Sequence, residues 1–227
     1  YMLYNNNNNI IAHNHHTHNT ISFCIYSSTN RYNNKIGIDL ITATQRRNPP
    51  QCVDSKIHHC NMLNNILPKI QANLAGCADA VMLDMNGFVA ETNATNIFIV
   101  KDGNLATPLP DACMPGITRN TIVKLAANNA LNGICCVERN ISLAELHSAD
   151  CVFTTGTMGE LTPVNTIDGR KIGPRAGASQ GSVDNDNDND NDNDNIRSDK
   201  EKWPILATVQ EVYRKMTHNE LDWSLNR

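Results

Sequence analysis

Four stretches of the chain carry groups whose types and spacing could do chemistry together. Lys56 stands just ahead of an apolar helix and Glu91 closes a strand, while the loops Gly116-Ile117-Thr118 and Gly156-Thr157-Met158 set backbone N–H donors beside hydroxyls. An amine, a carboxylate and two loops of backbone donors beside hydroxyls are more informative in combination than singly. Taken singly, each has a plainer reading: a solvated lysine, a turn glutamate, a helix cap and a tight turn. The eight cysteines show no CxxC spacing and no dense framework of a small secreted scaffold, so they read as reduced intracellular thiols and no metal site is assigned.

The elements that must position these groups lie between Gly37 and Gly173. Ile36 to Ile41, continued by Thr42-Ala43-Thr44, reads as a strand ended by Asn48-Pro49-Pro50. Met62, Leu63, Ile66, Leu67, Ile70 and Leu74 recur at helical spacing, which predicts a helix over 61–75 stopped at Gly76. Short apolar runs at 80–83, 88–90, 96–100 and 105–107, with Asn86-Gly87 and Asp102-Gly103 as turns, predict a β meander. A helix over 119–131 follows a Pro-Gly turn. A strand at 134–138, a short helix capped by Ser142 and a strand at 151–154 come next, and Ile205, Val209, Val212, Tyr213 and Met216 mark a terminal amphipathic helix. Helices and strands mix without regular βαβ alternation, so the fold class is α+β.

Two segments read as outside this fold. Residues 1–34 hold ten Asn and four His, including the cluster His13-Asn14-His15-His16-Thr17-His18, and are expected to be a disordered low-complexity head. Residues 176–202 form a linker expected to be disordered, with six Asp-Asn pairs from Asp184 to Asn195. Asp190, Asp192, Asp194 and Glu201 match four positions of a calcium loop, but Asn195 replaces its glycine, so the spacing is read as coincidence. The division expected is therefore head 1–34, catalytic domain 35–175, linker 176–202 and a helix within 203–227 packing on the catalytic domain. The formal net charge is −4, and the repeat carries six of the acidic residues, so the body is near neutral. That argues against an electrostatic nucleic-acid binder, and no apolar run approaches the ~20 residues needed to cross a bilayer. Neither nucleic acid nor membrane is an expected partner.

The segments Asp54-Ser55-Lys56-Ile57-His58-His59, Leu83 through Phe98, Cys113-Met114-Pro115-Gly116-Ile117-Thr118-Arg119 and Gly156 through Val164 together resemble the class IV, fold type IV pyridoxal-phosphate aminotransferases. These include branched-chain and D-amino-acid aminotransferases. The resemblance implies the large domain of the D-amino-acid aminotransferase-like fold, with pyridoxal 5'-phosphate as cofactor. It implies amino transfer between a branched-chain or D-amino acid and a 2-oxo acid. Lys56 would form the internal aldimine and move the substrate proton, and Glu91 would face the pyridine nitrogen. Ile117, Thr118 and Thr157 would contact the phosphate, and Thr157 and Met158 the substrate carboxylate. A homodimer is implied as well; the cysteine usage, separately, reads as intracellular, in the cytoplasm or an organellar matrix, without choosing between them.

Two departures qualify what the resemblance implies. Branched-chain enzymes commonly carry a tyrosine at the position of Asn61. Complete members also have an amino-terminal small α/β domain with a phosphate-binding arginine, where this sequence has its Asn- and His-rich head. Arg46 and Arg47 lie outside that domain and read as structural or interface charges. The chain thus reads as a truncated product with its catalytic half intact. Two alternatives stay open: a lyase of the same fold, like aminodeoxychorismate lyase, and an inactive fragment.

Overall fold

The computed structural model describes residues 3–4, 10–11, 33–173 and 203–217. Most of the Asn- and His-rich head with its His cluster, the whole Asp-Asn tract with its calcium-like spacing, and residues 218–227 lie outside the described residues. Within the head, β1 (Leu3–Tyr4) and β2 (Ile10–Ile11) pair antiparallel.

The remaining strands form one nine-stranded sheet among the described residues. Its members are β3 (Ile38–Arg46), β4 (Asp79–Leu83), β5 (Val89–Thr92), β6 (Asn96–Lys101), β7 (Asn104–Thr107), β8 (Cys136–Glu138), β9 (Cys151–Gly156), β10 (Glu160–Ile167) and β11 (Arg170–Lys171). The order is β5-β4-β3-β10-β9-β6-β7-β8, with β11 folded back on β10. Helices α1 (Leu63–Leu74), α2 (Ile117–Ala127), α3 (Leu143–His147) and α4 (Pro204–Thr217) complete the fold. This mixture is the α+β class that the sequence predicts.

The β meander does not form. Strand β5 pairs with β4 and β6 pairs with β9, so β5 and β6 belong to opposite halves of the sheet. The cause is the connection at 92–95, where Thr92 N donates to Thr95 O at 2.8 Å and the two threonine hydroxyls meet at 2.7 Å. This closed turn reverses the chain, but β6 leaves it to pair with β9 rather than with β5.

Strand β10 joins the two halves. It pairs antiparallel with β9 over Glu160–Pro163 and parallel with β3 over Val164–Ile167. Pro163 cannot donate to a ladder, and it sits where the strand changes neighbours, a place where a missing N–H breaks no continuous run. Two further boundaries move. Helix α2 begins at Ile117 and ends at Ala127 rather than spanning 119–131, and β8 begins at Cys136 rather than residue 134.

Strand β6 shows how the core is built. Ile97 and Ile99 join one apolar cluster with Leu40, Val81, Ile141 and Leu146, while Phe98 and Val100 join another with Ile122, Leu125, Leu206 and Val209. Alternate residues serve opposite faces, and both faces are covered, so the strand reads as a continuous apolar run. Phe98 stacks on Phe153 with ring centroids 5.1 Å apart. Helix α4 thereby covers the face that α2 also covers.

Helix α1 lies the other way round from a usual amphipathic helix. Pro68 and Ala72 are buried, but Leu63, Ile66, Leu67 and Leu74 are exposed, Leu74 by 86%. Its polar residues face the sheet instead: Lys69 pairs with Asp79 at 2.8 Å, and Gln71 accepts from Thr44 N at 3.0 Å. No helix among the described residues is long and apolar enough to cross a membrane.

Candidate active site

Glu91 is the most constrained carboxylate near the groups singled out from sequence. It lies on β5, whose four residues are all buried, and is itself 4% exposed. Its Oε1 accepts from Arg47 Nε and Nη2, both at 2.8 Å. Its Oε2 accepts from Met114 N at 3.1 Å and Asn96 Nδ2 at 3.2 Å. Burial pushes the carboxyl up to about 7, against the opposing pull of the Arg47 guanidinium and the Met114 N–H. Without those donors an ionised carboxylate in this place would be far more costly.

Arg47 is as constrained as its partner. Its backbone N donates to Leu83 O just past the end of β3, and Nη1 reaches Asn64 and Asn65 in the first turn of α1 at 3.1 and 3.0 Å. All three of its nitrogens are therefore engaged within the chain. That agrees with the structural role read from sequence and leaves no nitrogen of Arg47 uncommitted for a phosphate.

Three elements converge on Thr95 and Asn96. Asn96 bonds both Glu91 and Met114 O, the latter at 2.7 Å, which ties the strand to the loop entering α2. Gly116 is the cap residue of α2, and a Cβ there would stand 2.3 Å from Asn96 Oδ1, so only glycine allows the approach. Without a capping side chain, the first-turn N–H groups of α2 are left for an anion. Ile117 is 84% exposed, whereas Thr118 is buried with its hydroxyl 3.4 Å from that of Tyr213 on α4. Asn96 also pairs with Thr155 across the β6–β9 ladder, and a Cβ on Gly156 would meet Thr95 Cγ2 at 3.2 Å. Thr157 and Met158 follow, both exposed.

Lys56 lies in the connection between β3 and α1. Its Nζ pairs with Asp54 at 3.2 Å, and its side chain is 40% exposed. Its neighbours Ser55 and Ile57 line a cavity of 270 Å³ that Glu91, Arg47, His59 and Met114 also line. The structure thus brings Glu91, the α2 amino end and the Gly156 loop together around Asn96 and sets the Lys56 segment on the same cavity. The Lys56 amine itself rests on Asp54.

Sequence reasoning did not single out Asn96 or Arg119. Arg119 is 2% exposed, and its Nη2 binds Pro108 O at 2.7 Å and Glu138 at 2.5 Å, which anchors the first turn of α2 to β8. Its place directly after Thr118 was the available signal. Asn96 lies within the Leu83 through Phe98 stretch, but its bond to Met114 O spans 18 positions and has no local signal.

Residues 4–167 match the family model described as Amino-transferase class IV. The chain belongs to the class IV aminotransferases. The match begins inside the Asn- and His-rich head. Over 188 residues this class IV chain is 47% identical to Branched-chain-amino-acid aminotransferase-like protein 1 of Arabidopsis thaliana, covering 83% of the chain and 29% of that protein. It resembles the branched-chain aminotransferase of Thermoproteus uzoniensis solved with norvaline, with a TM-score of 0.64 and 29% identity over 82% of this chain and 52% of that one. It also resembles the T.th. branched-chain aminotransferase complexed with N-(5'-phosphopyridoxyl)-L-glutamate, at a TM-score of 0.63 and 29% identity over 80% and 52% of the two chains. The class IV chain therefore spans under a third of that curated relative and about half of those solved chains.

Proposed function

We propose that this chain is a pyridoxal 5'-phosphate-dependent aminotransferase. It would exchange an amino group between an amino acid, branched-chain or D, and a 2-oxo acid. The observation that carries the reading is the buried Glu91 carboxylate on the wall of the cavity that the Lys56 segment also lines. The residues fit the cofactor: an anion cradle where only glycine is tolerated at 116, a carboxylate for a ring nitrogen, and an amine on the adjoining loop. When bound, pyridoxal phosphate supplies an aldehyde that captures amines and a ring that accepts electrons from the substrate Cα.

The chain's own residues divide the remaining work. Lys56 Nζ leaves its exposed pairing with Asp54, serves as the nucleophile, and takes and returns the Cα proton. Glu91 would face the ring nitrogen and, as a carboxylate, favour its protonated form. The N–H groups of Ile117 and Thr118, the Thr118 hydroxyl and Thr157 bind the phosphate, and Thr157 with Met158 faces the substrate carboxylate. The cysteine pattern of the sequence supports an intracellular compartment.

Borohydride treatment of the protein after incubation with pyridoxal phosphate should add one phosphopyridoxyl mass to the peptide holding Lys56. Attachment confined to other lysines would remove the assignment.

A homodimer accompanies this reading, supported by the apolar stripe Leu63, Ile66, Leu67 and Leu74 on α1, which is exposed among the described residues. Sedimentation should give twice the chain mass, and Ile66→Glu should shift it to the single-chain mass. A wild-type monomer at micromolar concentration would contradict it.

A further inference from the structure

The cavity shared by Glu91 and the Lys56 segment holds two polar atoms with no task assigned so far. Ser55 is 2% exposed, and neither its Oγ nor the buried Nδ1 of His59 has a hydrogen-bond partner among the described residues. Both residues line the cavity, and both lie within three positions of Lys56. A buried hydroxyl or imidazole nitrogen is rarely left unpaired, so two in one cavity point to a polar ligand atom that meets them.

Resting on the function proposed above, we propose that Ser55 and His59 hold the ring oxygen of pyridoxal phosphate. The cofactor has four polar groups. The phosphate goes to the α2 and Gly156 loops, the ring nitrogen to Glu91 and the aldehyde to Lys56, which leaves the oxygen on the ring carbon next to the aldehyde-bearing one. A group bonded to that oxygen must therefore stand near the lysine, and the two orphaned atoms flank Lys56 in the chain. The oxygen carries negative charge when ionised and then needs donors. The Ser55 hydroxyl has one hydrogen to give, and the His59 ring offers one at Nδ1 in the appropriate tautomer.

Equilibrium dialysis of the full chain against pyridoxal phosphate and its 3-deoxy analogue, which lacks only the ring oxygen, tests this without an activity assay. Wild-type protein should hold pyridoxal phosphate about tenfold or more tighter than the analogue, the scale of a hydrogen bond to a charged group. Ser55→Ala and His59→Phe should each weaken pyridoxal phosphate by about tenfold while leaving the analogue's affinity unchanged. Equal wild-type affinity for the two molecules, with borohydride still fixing the cofactor to Lys56, would overturn the assignment and leave the proposed function standing. Failure of wild-type protein to retain pyridoxal phosphate at Lys56 would overturn both.

Discussion

Lys56→Ala should lose amino transfer by about 10⁴-fold or more, the upper range for removing a positioned acid–base group that is also the nucleophile, while its melting temperature stays that of the wild type. The two halves of this expectation have separate causes. The side chain is 40% exposed and its one ion pair is with the solvent-facing Asp54, an arrangement that contributes little to stability. The Asp54 carboxylate also accepts from the Lys56 backbone N at 3.0 Å, and alanine keeps that bond. Lys56→Arg separates the amine from its charge: it preserves the pairing with Asp54 but offers no neutral amine near physiological pH. It should be as inactive as the alanine variant, and methylamine in the assay should restore part of the alanine variant's proton transfer. Measured turnover that survives either substitution would mean that position 56 takes no part in the chemistry.

The sequence made the local elements legible and left the long-range ones obscure, for physical reasons that single residues illustrate. Ser142 marked α3 because a cap acts within its own turn, and its side chain does accept from Glu145 N at 3.1 Å. Strand β10 was hidden by Pro163, since proline inside an apolar run argues against a central strand until its neighbours on both sides are known. The meander failed because the Asn86-Gly87 signal specifies one reversal and says nothing about where the next hairpin docks. On α1, helical spacing specifies a helix, yet spacing alone does not say which face meets the sheet; Lys69, Gln71 and Asn64 take that place through hydrogen bonds.

The site divides in the same way. Lys56, Glu91, Thr118 and Thr157 stand out as residue types in short motifs, whereas the residues that tie them together, Arg47 and Asn96, act across 44 and 18 positions. Arg47 was visible as a charge but not as the partner of Glu91. That partnership depends on β3 and β5 flanking β4, a topology that no local pattern encodes.

Arg47→Met should destabilise the protein by about 3–5 kcal/mol above neutral pH, because it strands a buried carboxylate that had two guanidinium bonds. At roughly 2–4 °C per kcal/mol for a chain of this size, the melting temperature should fall by on the order of 10 °C. The deficit should depend on pH. Glu91 titrates at about 7 in the fold against 4.5 as the ordinary value. Its contribution to wild-type stability is therefore fully present below about 4.5 and is lost as pH rises through about 7. Removing Arg47 takes away a cation that lowers this value, so the carboxyl of the variant stays protonated to still higher pH. A neutral Glu91 needs no cation, and the gap between variant and wild type should narrow as the pH is lowered from about 8 to about 5. Replacing both partners, Arg47→Met with Glu91→Met, removes the unpaired charge and should recover part of the loss, short of the whole because Asn96 Nδ2 and Met114 N would lose their acceptor. Urea unfolding of the three proteins at the two pH values measures this directly. A double variant less stable than Arg47→Met, or a deficit that grows toward acid, would mean that the pair is not what makes burial of Glu91 possible.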